Sequence, residues 1–435
     1  MSATAHGSEG NDGSRGKFDL SGSHPAWLRR INAVGRALTG SGAHGAMAVP
    51  LDVASLLAEA RANTGLDDFG PDDFRERLAL WLSEADEDPE ITNLARTSLW
   101  NDCVRAASNR LLIRDLLRRH PEIDDLRIER PIIVVGLPRS GTTHLVNLIA
   151  ADERLRSMPL WEGQAPVPMR GEGPGLDGVD PRFMRCDAMW QAFRASSPLI
   201  AAMHPMNPDH IHEELELMLP DFTSYNQEWI LRAPKWRDYY LAHDQTPHYA
   251  YMLRALKILQ WYRPRERWVL KCPQHLEQLG PLMATFPDAT IVVTHRDPVS
   301  VIQSAATMLA YGARMNYRSP RPEWYLEYWS DRVRRLLEAS VRDRSKLPEG
   351  RTVDVLFHEF MADDVATVER IYEVAGLPMT DAARRQIRAY MDAHPRGREG
   401  QVVYDVRADF GVEPKDVRAP FGFYLDRFAV REEVK

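Results

Sequence analysis

The stretch PIIVVGLPRSGTTHLVNL, Pro131 to Leu148, decides the fold. Its four consecutive β-branched residues, Ile132 to Val135, predict a buried strand of a parallel sheet. The strand runs directly into Gly136-Leu137-Pro138-Arg139-Ser140-Gly141-Thr142-Thr143, after which Leu145, Leu148 and Ile149 fall at helical spacing. A strand, a tight glycine loop and a helix N-terminus form an anion cradle, because backbone N–H groups and the helix dipole both favour negative charge there. The spacing Gly136-x-x-x-x-Gly141 matches the phosphate loop of nucleotide hydrolases, but Thr142 stands where their lysine should be. That lysine reaches the terminal phosphates, so its loss argues against triphosphate hydrolysis. The basic group is instead Arg139, inside the loop.

Thr290 to Ser304 reads TIVVTHRDPVSVIQS. A strand, Ile291 to Val293, leads to Arg296-Asp297-Pro298, and Ser304 follows eight residues after the arginine. An arginine fork matches phosphate oxygens bidentately, and a hydroxyl one or two helical turns further on adds a neutral donor. The two motifs, in this order and each at a strand end, resemble the 5′-phosphosulfate loop and 3′-phosphate signature of sulfotransferases. That family uses 3′-phosphoadenosine 5′-phosphosulfate (PAPS). The resemblance covers roughly Arg130 onward, and the loop arginine brings it closer to the tyrosylprotein and bacterial enzymes than to the cytosolic steroid and phenol ones.

The resemblance implies a role for each matching residue. Arg139 would stabilise the leaving group, while Ser140, Gly141, Thr142 and Thr143 hold the 5′-phosphate and sulfonate; plain helix capping would also account for the threonines. Arg296 and Ser304 would grip the 3′-phosphate. Lys271 ends the strand Trp268-Val269-Leu270, where several branches carry a lysine near the bridging oxygen. Arg396 and Arg398, in Arg396-Gly397-Arg398-Glu399-Gly400, loosely match a segment that closes over the 3′-phosphate. His144 is counted with the cofactor-contacting loop, but it replaces the tryptophan of the cytosolic branch and leaves the adenine-stacking residue unnamed. Pro273 occupies the position of that branch's catalytic histidine. The expected base is therefore Glu162, in Pro159-Leu160-Trp161-Glu162, as in the tyrosylprotein and related bacterial branches. A structural ion pair with a nearby arginine is the competing reading of Glu162.

Composition narrows the partners. The chain has 435 residues, 44% of them hydrophobic, which allows one large α/β domain with accessory elements. A net charge of −7 makes nucleic acid a poor partner, so any anion site must be local. Three scattered cysteines, no apolar leader in MSATAHGSEGNDGSRG and no apolar run of membrane-spanning length give the expectation of a cytoplasmic protein without a transmembrane segment. Residues 1–50 read as a disordered or irregular segment and residues 51–125 as a helical subdomain. Residues 126–435 read as the α/β domain: a P-loop-type parallel sheet flanked by helices. Within it, residues 165–265 form a helical insertion on the acceptor side.

That insertion is rich in Met, Trp and Tyr and favours a small-molecule acceptor, apolar or aromatic, with a glycan or peptide as the alternative. A homodimer is compatible with the sequence. His204, His210, His212, Glu213, Glu214 and Glu216 cluster in HPMNPDHIHEELELM, but without H-E-x-x-H spacing, and no metal is expected. The resemblance, which often brings an acidic helix near the acceptor cleft, implies that Glu213 or Glu214 touches substrate, without showing which. The sum is PAPS-dependent, in-line sulfuryl transfer to a hydroxyl or amine with a carboxylate base. The alternatives are a P-loop nucleotide kinase or hydrolase, and a silent protein that binds 3′-phosphoadenosine 5′-phosphate (PAP).

Overall fold

The computed structural model describes residues 50–175, 178–265, 267–398 and 402–435, so the expectation for residues 1–49 lies outside it. The β-branched run forms β1 (Ile132–Gly136), the middle strand of a five-stranded parallel sheet. The others are β2 (Leu155–Arg156), β3 (Arg267–Lys271), β4 (Thr290–His295) and β5 (Thr352–Leu356), in the order β2-β3-β1-β4-β5. Side chains alternate between two buried faces. Ile133 and Val135 join Leu270, Ile291 and Val293 in one core, whereas Ile132 and Val134 join Val269, Val292 and Val353 in the other. Burial on both faces is why these strands read as unbroken apolar runs.

Register places the chemistry at one edge. Val134 lies opposite Lys271 on β3, and Gly136 lies opposite Thr294 on β4. The carboxyl ends of β1, β3 and β4 therefore open onto a common site, the usual position for a ligand in a parallel sheet.

Ahead of the sheet come α1 (Val53–Thr64), α2 (Phe74–Asp86) and α3 (Asn93–Arg119). The Asp52 carboxylate caps α1 by accepting from Ser55 N–H at 2.8 Å, and Thr92 caps α3 by accepting from Ala95 N–H at 3.1 Å. Leu56, Phe74, Leu78, Leu99 and Ala107 from these helices share one apolar core with Ile133 and Val135. After β1 follow α4 (Thr142–Ala150), α5 (Leu160–Gln164), α6 (Pro181–Ser196) and α7 (Thr246–Tyr262). Beyond β4 come α8 (Pro298–Asn316) and α9 (Pro322–Asp343), and beyond β5 α10 (Asp364–Ala375) and α11 (Asp381–Ala393).

β2 stops at Arg156 and Leu160 begins α5, so Glu162 sits on a helix. Likewise β5 ends at Leu356, and Phe357 opens a short helix, Phe357–Ala362.

Candidate active site

β1 delivers Gly136 to a position that Thr294 crowds: a Cβ there would lie 1.9 Å from the Thr294 hydroxyl oxygen. Only glycine fits. Ser140 Oγ lies 2.8 Å from Thr294 Oγ1 and donates to the Leu137 carbonyl at 2.6 Å, which ties the loop down. Gly141, at φ +84°, turns the chain into α4, whose first N–H groups and dipole face the loop. Arg139 also has positive φ, +65°. For a side chain of this kind that conformation costs about 1–3 kcal/mol, and it persists because surrounding contacts hold it.

Those contacts are specific. Arg139 Nε donates to Ser304 Oγ at 3.0 Å, Nη1 to the Met203 carbonyl at 2.5 Å and Nη2 to the Tyr404 hydroxyl at 3.2 Å. Arg296, in the turn from β4 to α8, donates through Nη1 to the Arg139 carbonyl at 2.6 Å and lies 3.8 Å over the Phe357 ring. Lys271, at the end of β3, donates to Thr143 Oγ1 at 3.2 Å and forms an ion pair with Glu213. Two cationic side chains from the strand ends neighbouring β1, Lys271 and Arg296, thus meet the loop that carries Arg139.

Ser304 is brought to Arg139, not to Arg296. The hydroxyl on the Arg296 side is Ser300, one helical turn earlier. It donates at 3.3 Å to the Glu433 carboxylate, which Arg296 itself holds at 2.8 and 2.7 Å. His144 Nε2 lies 3.3 Å from Asp364 Oδ2. Burial lowers its pKa, and the Asp364 charge only partly opposes that. Arg396 pairs with the same Asp364, and Arg398 donates to the Ala393 carbonyl at 2.9 Å. Both therefore bond within the α10–α11 layer, while Glu399 and Gly400 lie outside the described residues.

Glu162 is buried, and both of its oxygens carry guanidinium bonds. Arg156 Nη2 donates at 2.7 Å, and Arg263 donates through Nε and Nη2 at 3.2 Å each. Arg156 stacks 4.6 Å over Trp268, three residues before Lys271, hence about 10 Å back along β3 at ~3.3 Å per residue. Burial pulls the Arg156 pKa down to about 10 against the pull of Glu162.

Nearer the loop is the acidic helix start. Glu213 pairs with Lys271, and Glu214 accepts from the Lys271 N–H at 3.0 Å and meets His275 Nε2 at 3.3 Å. The other His275 nitrogen lies 2.7 Å from the Tyr249 hydroxyl, so this imidazole is fully engaged in the core. The rings of His210 and His212 lie 6.4 and 6.0 Å from that of His204. Burial, with His212 and then Arg139 nearby, drives the His204 pKa well below its ordinary value. Among the described residues, the side chains that come nearest to a metal-ligand set are Asp73, Asp221 and His248. Arg77 and Arg110 already sit on Asp221 at 2.9 and 2.8 Å.

Comparison with known proteins places this geometry. The sulfotransferase family model matches residues 131–381, more than half of the chain. The chain belongs to the sulfotransferase family. It is a transferase, and its fold is similar to that of sulfotransferase STF9 from Mycobacterium avium. The identity is 25% and the TM-score 0.79, over 89% of this chain and 99% of that one. It is also similar to sulfotransferase STF1 from Mycobacterium tuberculosis H37Rv, at 29% identity and a TM-score of 0.75, over 85% and 98% of the two chains. No curated protein matches by sequence. In this sulfotransferase the family match begins at the loop strand and includes Lys271, Arg296 and Ser304; Arg396, Arg398 and Glu433 lie beyond it.

Sequence reasoning passed over Ser300 and Glu433 and left Glu213 as one of two acidic candidates. Ser300 had a signal, since it stands four residues after Arg296, in the first turn of the helix that Asp297-Pro298 starts. Glu433 had none.

Proposed function

We propose that this sulfotransferase moves a sulfuryl group from PAPS to a hydroxyl or amine of a small molecule. One observation carries the reading: Lys271 and Arg296 converge on a glycine loop that itself carries Arg139 and whose position 142 is threonine. The residues fit the donor. Arg296 already holds a carboxylate in the two-point fork geometry that a phosphate would use. When bound, PAPS supplies the activated sulfuryl group on a phosphate leaving group. Thr142, Thr143 and the first N–H groups of α4 orient the 5′-phosphate. Lys271 and Arg139 stabilise charge on the leaving oxygen, and Arg296 holds the 3′-phosphate.

Glu213 is the better candidate than Glu162 for the carboxylate base. Both oxygens of Glu162 are committed to arginines, whereas Glu213 shares Lys271 with the loop through Thr143. A lysine that turns toward the leaving oxygen frees that carboxylate to take the acceptor proton. A cleft of about 300 Å³ beside Trp236, Tyr239 and Tyr240 is also lined by Asp73, Arg77, Asp244 and His248 and by none of the residues at the loop, so the reading of an apolar or aromatic acceptor rests on the composition of the insertion. Among the described residues no helix is long and apolar enough to cross a membrane. The buried free thiols Cys103, Cys186 and Cys272 support a reducing, cytoplasmic location.

The test is sulfuryl transfer from PAPS to a phenol, alongside PAP affinity by calorimetry. Glu213→Gln is expected to lose about 10²–10⁴-fold in turnover while PAP affinity holds. Glu162→Gln is expected to lower the melting temperature with a smaller loss of turnover. The reverse pattern returns the base to Glu162, and equal affinity for PAP and ADP rejects PAPS as donor.

A further inference from the structure

We infer that Glu433 is a built-in stand-in for the donor's 3′-phosphate, on a strap that must leave Arg296 before the donor is fully gripped. This rests on the reading of Arg296 as the 3′-phosphate clamp. The contact is a two-point one: Arg296 Nε donates to Glu433 Oε1 at 2.8 Å and Nη2 to Oε2 at 2.7 Å. Ser300 Oγ adds a third donor to Oε2 at 3.3 Å. Two anionic oxygens on one guanidinium edge, with a neighbouring hydroxyl, are the contacts a bound phosphate would make.

The strap is anchored beside the clamp. Asp297, adjacent to Arg296 and fully buried, accepts through Oδ2 from the N–H groups of Glu433 at 2.9 Å and Val434 at 3.3 Å. Arg418 Nη2 closes the connection, donating to the same Asp297 oxygen at 3.0 Å and to the Val434 carbonyl at 2.5 Å. The carboxylate is therefore delivered to Arg296 by backbone bonds, not left there by a free side chain. Arg296 Nη1 is occupied by the Arg139 carbonyl, which leaves the Nε/Nη2 edge for an anion. A phosphate and the Glu433 carboxylate cannot both use that edge. Occupancy by Glu433 lowers the fraction of open clamp and weakens apparent donor affinity in proportion. Arg296 and Glu433 side chains are 20% and 24% exposed, so solvent screens the pair and the effect is of modest size.

The experiment measures PAP and AMP binding by calorimetry to the full chain and to Glu433→Ala, Glu433→Gln and Arg296→Ala. AMP lacks the 3′-phosphate and reports on everything except the clamp. Both Glu433 variants are expected to bind PAP about three- to tenfold more tightly than the native chain, with AMP affinity unchanged. Arg296→Ala is expected to weaken PAP selectively. If the Glu433 variants bind PAP equally or more weakly while Arg296→Ala still loses PAP selectively, the strap is structural and the inference fails. If Arg296→Ala weakens PAP and AMP alike, the clamp reading itself falls and takes the inference with it.

Discussion

A methyl group added at position 136 would meet Thr294 Oγ1 at 1.9 Å, in a loop held by the Ser140–Thr294 hydroxyl contact. Gly136→Ala is therefore expected to displace the loop and reduce PAP affinity more than tenfold, with about 1–3 kcal/mol of lost stability from overpacking. Calorimetry and thermal melts check both. Adding Thr294→Ala removes the clashing oxygen and should recover part of the affinity; no recovery would mean the damage lies elsewhere. At this scale the loop was legible because glycine, arginine and threonine positions are set by a few neighbouring φ/ψ values. The partner of Ser304 was not legible. Arg139 and Arg296 lie close together at the loop, and which of them meets the hydroxyl depends on how α8 packs against it.

Between elements, α9 carries a fully buried arginine. Arg332 donates to Glu277 at 2.6 Å through each Nη and to Glu228 at 3.0 and 2.9 Å through Nε. Tyr328 adds a bond to Glu228 at 2.6 Å. Burial raises the Glu228 pKa, with Arg332 opposing it. Arg332→Leu would leave two carboxylates buried without their cation, which costs about 3–5 kcal/mol. A lower urea midpoint is expected, and part of the loss should return at lower pH, where the carboxylates can be neutral. An unchanged midpoint would refute this account. The helices and strands themselves follow from short-range patterns, and their order along the chain was readable. The Arg332 cluster joins three segments far apart in sequence, and no local pattern announces it.

For the whole molecule, buried histidines set a pH dependence. His210, whose Nε2 is buried without a partner, has its pKa lowered to about 3 by burial and then by His212 and Lys271; its ordinary value is 6.5. Between those values the unfolded chain binds a proton that the folded chain does not. Stability is therefore full above pH 6.5 and falls as pH drops through that window, by up to about 1.4 kcal/mol per pH unit for each such histidine. Carboxylates held low, such as Asp221 and Asp354, add their own loss only below the ordinary carboxylate range. Melting temperature is expected to fall between pH 6.5 and 4.5, with a shallower slope in His210→Gln. An equal slope in that variant would remove His210 from the explanation.

Across the molecule, the sequence alone determined the parallel sheet, the glycine loop and the strand ends that carry Lys271 and Arg296. Each is encoded within about a dozen residues by unbroken apolar runs, glycine conformation and helix start signals. Tertiary structure alone decided which carboxylate faces the loop. Glu162 and Glu213 are both acidic residues near helix starts, but packing turns one to Arg156 and Arg263 and the other to Lys271. It also decided what sits on Arg296. Glu433 lies 137 residues away along the chain, and only the packing of the finished fold brings that carboxylate to that guanidinium.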